Sequence, residues 1–200
     1  MSRSSIRFSL VVLAIAASAG FASAARAGGI VSSLIGGNCG ATAPVFAPWG
    51  DSHQYYFTAD GGFESGSTGW TLTGGAKVVS GDESYQVHGR SDRFSLLVPA
   101  GGTAISPSVC FGLLTPGVRF FAEGSGSVHV KLIAHGLLGV LANIDGGTIG
   151  VSGSWTPTRV FATLGSQLDV PVGTKSVQIE LTSTGNVQID DIYIDPFLSK

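Results

Sequence analysis

The sequence predicts an all-β fold, a two-sheet antiparallel β-sandwich. Three observations carry this. The chain holds 30 glycines in 200 residues and only 12% charged residues, whereas helical surfaces are rich in Lys, Glu and Met. Short apolar stretches recur between Gly-Gly, Asp-Gly-Gly or Pro-Gly punctuation, the spacing of strands joined by turns. The period is two: Val128, Val130, Leu132 and Ala134 alternate with His129, Lys131, Ile133 and His135, and Val177, Ile179 and Leu181 alternate with Ser176, Gln178, Glu180 and Thr182. Strands of this kind have one covered and one polar face. Two such sheets packed apolar side to apolar side form a sandwich, usually wired as a Greek key or jelly roll.

The chain opens with Arg3 and Arg7, an apolar run from Phe8 to Ala17 too short to span a bilayer, and small residues up to Ala25-Arg26-Ala27. Residues 1–27 are expected to be a signal peptide cut after Ala27 or Ala24, a membrane anchor being the alternative. The chain is then secreted to an extracellular setting with no transmembrane anchor after cleavage. Loss of Arg3, Arg7 and Arg26 leaves 8 Lys and Arg against 13 Asp and Glu, a net charge of −5. With no basic run after Arg26, a nucleic-acid partner is excluded. Residues 28–44 read as a Gly-, Ser- and Ala-rich flexible leader, and 45–198 as a single β-sandwich domain. The two cysteines, Cys39 and Cys110, are expected to form a disulfide in an oxidising compartment, with two buried thiols or a reactive cysteine as the alternatives.

Within the domain, Phe46, Trp49, Tyr55, Tyr56 and Phe57 crowd an opening segment around the turn Pro48-Trp49-Gly50-Asp51. Strands are expected at 70–73, 76–80, 84–87, 94–98, 103–111, 118–123, 128–135, 138–144, 148–151, 159–164, 176–183 and 186–194. The last is irregular. Val187 and Ile189 share one face of an extended chain while Ile192 and Ile194 fall on the other. A bulge at Asp190-Asp191 restores the phase, and two carboxylates beside it suggest a cation or a hydrogen-bonded corner.

Gly61-Gly62-Phe63-Glu64-Ser65-Gly66 followed by Trp70-Thr71-Leu72, then Ser154-Trp155, Val177-Gln178-Ile179-Glu180-Leu181 and Val187-Gln188-Ile189-Asp190-Asp191-Ile192, resemble in order and spacing the jelly-roll carbohydrate-binding modules of the galactose-binding-domain-like type. The resemblance runs from Asp60 to Pro196 and suits a divergent secreted member of bacterial type. It implies a sandwich whose first and last strands meet. It also implies a structural Ca²⁺ held by Glu64 and Asp190, with Asp191 the substitute. In the other reading of these carboxylates they accept backbone N–H bonds at strand ends.

Glycan clefts need aromatic platforms beside polar groups, because a pyranose ring has an apolar face and a rim of hydroxyls. The polar-face set assigned to ligand binding is Arg119, His129, Lys131, Gln178 and Glu180, with His135 nearby and few aromatics. Tyr85, Phe121 and Trp155 are available for stacking but read first as packing residues. No Gly-x-Ser-x-Gly elbow occurs, and His53, His88, His129 and His135 lack a zinc-ligand spacing. The expectation is therefore a non-enzymatic, secreted module for glycan or another surface polymer. The alternatives are an adhesive exoprotein that keeps the fold without a sugar site, and a small hydrolase using a carboxylate pair drawn from Glu64, Asp82, Glu83, Glu123 and Glu180.

Overall fold

A computed structural model describes residues 39–111, 117–162 and 170–196. The expected signal peptide and most of the expected leader lie outside the described residues. Two antiparallel sheets face each other. The strands are β1 (Tyr56–Phe57), β2 (Thr71–Thr73), β3 (Lys77–Ser80), β4 (Phe94–Val98), β5 (Thr103–Ile105), β6 (Gly117–Gly124), β7 (Ser127–Gly136), β8 (Gly139–Gly150), β9 (Thr156–Pro157), β10 (Phe161–Ala162), β11 (Ser176–Ser183) and β12 (Val187–Asp195). One sheet runs β10-β6-β12-β4-β3, with β1 paired to β12 and β9 to β6; the other runs β2-β5-β11-β7-β8.

Alternation sets the layers. Val128, Val130, Leu132 and Ala134 of β7 and Val177, Ile179 and Leu181 of β11 point inward and meet Leu96, Val98, Val118, Phe120, Val187 and Ile189 from the facing sheet. Among the expected strands, 94–98 and 176–183 match fully, and 138–144 with 148–151 merge into the single strand β8, whose pairing with β7 slips at two irregularities. The stretch 84–87 is not a strand. The Glu83 carboxylate accepts the backbone N–H groups of Tyr85 and Val87, and Gln86 adopts φ 55°, so the chain winds around a buried side chain instead of extending.

The ends of the domain meet. β1 pairs with β12 through Tyr56↔Ile194 and Phe57↔Tyr193, and the Thr58 N–H and hydroxyl both donate to the Ile192 carbonyl at 3.0 Å. Gly61 lies so close that a Cβ there would sit 2.3 Å from Thr58 Oγ1 and 2.9 Å from the Ile192 carbonyl. Only glycine fits this approach. Cys39 and Cys110 form the disulfide, closing a sequence separation of 71. In the chain-entropy view such a loop contributes about 4 kcal/mol. The last residues of the leader are tied down a second time where Ala43 pairs with Tyr55.

A second, smaller core lies on the outer side of the seven-stranded sheet. There Phe46 stacks on Phe121 with centroids 5.5 Å apart and meets Tyr55 and Tyr193 edge-on. The segment before β1, turned by the short 3₁₀ helix Ala47–Trp49, lays these rings over the sheet. Arg119 of β6 fastens the cover: Nε donates to the Thr158 carbonyl at 2.7 Å, Nη1 reaches Asp51 Oδ2, and the guanidinium lies 4.3 Å from the Phe46 ring centroid. Burial would raise the pKa of Asp51, but hydrogen bonds from Tyr55, His53 and Arg119 outweigh it and hold the value at about 2.

Arg119→Ala takes the guanidinium away from the Thr158 carbonyl and from Asp51, which keeps its Tyr55 and His53 hydrogen bonds, a loss of about 2–3 kcal/mol and less than that of a fully buried broken pair. Arg119→Lys should recover only part of this, since one ammonium cannot serve two acceptors and a ring in one plane. Chemical denaturation of both variants measures it.

Candidate functional site

The bulge in β12 is where buried charge gathers. Its pairing with β6 shifts register between Asp190 and Tyr193, and Asp191 takes φ 48°, so that Val187 and Ile189 before the bulge and Ile192 and Ile194 after it all face the core. Asp190 and Asp191 are each 1% exposed. Backbone amides from the 82–93 loop reach them: Glu83 N–H donates to Asp190 Oδ2 at 3.0 Å, and His88 N–H to Asp191 Oδ2 at 2.9 Å. The other Asp190 oxygen takes the Asp191 N–H at 2.8 Å, whereas Asp191 Oδ1 is buried without a partner.

Water-poor surroundings disfavour the charged form of each acid here. Burial raises the pKa of Asp82 and Glu83, burial and then the neighbouring Asp191 charge raise that of Asp190, and burial lifts Asp191 to about 7. The predicted calcium set divides. Glu64 Oε1 accepts the amides of Arg93 and Phe94 at 2.7 and 2.9 Å, and both Asp190 oxygens are engaged by amides, which is the strand-end role the sequence also allowed. The orphaned Asp191 Oδ1 is the acceptor that fits a cation. It faces Gly62, where a Cβ would come within 3.2 Å, and Gly62 lines a surface pocket of about 250 Å³ together with Phe57, Asp60, Glu64, Ser65 and His88.

The predicted ligand-binding residues separate in space. His129, Lys131, Gln178 and Glu180 do share the outer face of the five-stranded sheet, but each is already engaged: Lys131 Nζ is 2.6 Å from Glu180 Oε1, His129 Nε2 is 2.9 Å from Asp145 Oδ1, and Gln178 Nε2 donates to the Ser106 carbonyl at 2.7 Å. Arg119 is not with them. It belongs to the other sheet, 7% exposed beneath the aromatic cover, because the parity of β6 turns it toward Asp51. Glu123 and Glu180 stand on opposite outer faces of the sandwich, so these two form no hydrolytic pair.

The platform missing from the polar face lies on the opposite sheet. Trp49 meets Tyr85 edge-on with centroids 5.1 Å apart, both rings pack on Phe121, and the Tyr85 hydroxyl donates to the Trp155 carbonyl at 3.1 Å. Tyr85 is 45% exposed, and Trp49 and Trp155 are partly exposed. Next to this patch, one register step along β6 from Phe121, the row Glu123, Gln188, Leu97 and Lys77 crosses four strands. Each alternates with inward residues such as Ala122, Val187, Leu96 and Val78, so the row faces outward. Aromatic rings thus stand at the Glu123 end of a polar row that runs on through Gln188 to Lys77, three strands away. Sequence parity places Glu123 and Gln188 outward, but nothing local brings Trp49 and Tyr85 together.

No protein-family model and no curated protein matches the sequence. Among solved structures, the enzymatically active domain of tailspike protein 4 of bacteriophage CBA120 superposes with TM-score 0.52 at 16% identity, covering 68% of this chain and 21% of that one. The family 22 carbohydrate-binding and catalytic modules of Clostridium thermocellum endo-1,4-β-D-xylanase 10B, complexed with xylohexaose, superpose with TM-score 0.50 at 16% identity, covering 72% of this chain and 29% of that one. A xylan-binding domain of family 22 is also similar, at 19% identity and TM-score 0.46 over 75% of this chain and 99% of that domain. The chain spans less than a third of the first two. What the likeness shows is a shared two-sheet jelly-roll sandwich.

Asp191, with an ordinary value of 3.8 and about 7 in the fold, keeps its proton over a range where the unfolded chain has ionised. The fold then binds more protons, so in chelator its stability should be full below about pH 4 and fall as pH rises toward 7. Asp191→Asn, which keeps the shape and suits a positive φ, should flatten this slope and stabilise the chain at pH 8 by on the order of 1 kcal/mol or more. Denaturant midpoints from pH 4 to 8 read both; an unchanged slope contradicts the assignment.

Proposed function

We propose that the chain is a secreted, non-catalytic module that binds glycan or another extracellular polymer on the outer face of its seven-stranded sheet. The observation that carries this is the half-exposed aromatic patch of Trp49, Tyr85 and Trp155 beside the polar row Glu123, Gln188 and Lys77. An aromatic ring covers the apolar face of a pyranose, the nearby Glu123 carboxylate and Gln188 amide meet its hydroxyls, and Lys77 farther along the row meets the next units of a polymer. The jelly-roll likeness to modules described as carbohydrate-binding supports the reading. The face around Lys131 and Glu180 is less suited, because a ligand there must first replace existing pairs.

Affinity electrophoresis through xylan, galactan and β-glucan should show retardation on at least one polymer. Tyr85→Ala should weaken it about tenfold, the size of one lost ring contact, while Glu180→Ala leaves it unchanged. Free migration through every glycan sinks the proposal.

One feature favours a second reading, an adhesive or self-associating exoprotein. At the tip of the β7–β8 hairpin Leu137 and Leu138 are 84% and 102% exposed, followed by Val140 and Leu141 at 55% and 48%. β8 is moreover an edge strand of 12 residues with Asp145 as its one charged residue. Exposed apolar edges of this kind pair with other chains. Light scattering across a concentration series should detect association that Leu138→Asp disperses; a monomer at every concentration removes this reading.

A further inference from the structure

We propose a divalent transition-metal site formed by His88, Asp92 and Asp191, which shares Asp191 with the expected calcium set but takes His88 and Asp92 in place of Glu64 and Asp190. One ligand atom from each of the three lies within 4.8 Å of the others. They come from two places in the chain. His88 and Asp92 belong to the loop between β3 and β4, and Asp191 is the bulge residue of β12.

Each donor is already oriented. The His88 ring stacks on Phe57 at 3.8 Å, with the planes 9° apart, and its Nδ1 lies 2.6 Å from Asp92 Oδ2. The His88 backbone N–H binds Asp191 Oδ2, which fixes the loop to the bulge. The remaining Asp191 oxygen, Oδ1, belongs to a side chain 1% exposed and has no hydrogen-bond partner. A buried carboxylate oxygen left bare is costly unless something positive meets it. Oδ1 faces Gly62, a residue of the same surface pocket that His88 lines.

The donor chemistry selects the ion. One imidazole nitrogen and two carboxylate oxygens suit Zn²⁺ and its first-row neighbours, whereas Ca²⁺ takes six to eight oxygens and no nitrogen. Two carboxylates balance a dication. The pocket leaves an open side for a water or a ligand oxygen as fourth donor.

Thermal melting and isothermal titration of the tag-free, chelator-stripped chain with ZnCl₂, CoCl₂ and CaCl₂ test the site. Zn²⁺ should raise the melting temperature, and Co²⁺ should give visible d–d absorption. His88→Ala and Asp92→Ala change an exposed ring and a loop carboxylate, so both variants should fold; each should weaken Zn²⁺ at least tenfold. His129→Ala, which alters another exposed His–Asp pair, on the far sheet, should leave binding unchanged. No Zn²⁺ effect on the wild-type chain, undiminished binding in His88→Ala, or a response to Ca²⁺ alone that survives His88→Ala overturns the proposal.

Discussion

One extra residue in the last strand governs much of this structure. β12 lies between β6 and β4 at the centre of its sheet, and its apolar residues must face one core on both sides of Asp190-Asp191. Strict alternation forbids that, so the strand bulges. The solution places a non-glycine residue at positive φ and puts two adjacent carboxylates where water does not reach. Both are unfavourable taken alone. They persist because neighbouring segments complete them: the 82–93 loop supplies amides to Asp190 and Asp191, and the turn from Thr58 to Gly61 exchanges hydrogen bonds with Ile192.

The aromatic cover on the outer face solves a related problem. Arg119, Phe121 and Tyr193 point away from the main core, and left bare they would expose apolar area and a cation on a central part of the sheet. Phe46, Trp49 and Tyr55 bury them, and Asp51 compensates the arginine. The cover stops at Trp49 and Tyr85. Beyond it the face is open and polar along Glu123, Gln188 and Lys77, so the boundary between the added layer and the bare sheet is where half-exposed rings stand beside hydrogen-bonding groups.

Period-two alternation made the sandwich legible, because burial on one face leaves its mark in every second residue. The reversal between Ile189 and Ile192 likewise announced the bulge, and two cysteines in a chain expected to be exported pointed to the disulfide, which the structure contains. Side-chain partners were less accessible. Lys131 and Glu180 are opposite charges on two strands, and only the register of β7 with β11 shows that they satisfy each other. Arg119 looked like a surface cation because its cover comes from residues nearly 70 positions earlier. The strand expected at 84–87 failed for another reason: Glu83, a carboxylate of a type usually solvated, is 1% exposed and competes for backbone amides that a strand would use.

Glu83 also joins the two halves of the functional argument. Its own N–H is held by Asp190, and its carboxylate holds the amides of Tyr85 and Val87, immediately before His88 binds Asp191. The ring that faces the open surface and the imidazole that faces the Gly62 pocket are therefore set by one short run of backbone anchored to the bulge. A change at Asp190 reaches Tyr85 through two hydrogen-bonded steps, without any need for the sheet to move. Because those anchors are buried and nearly free of solvent, the loop has few alternative positions while they hold. The proposed recognition surface then rests on a strained, acid-rich corner of the interior.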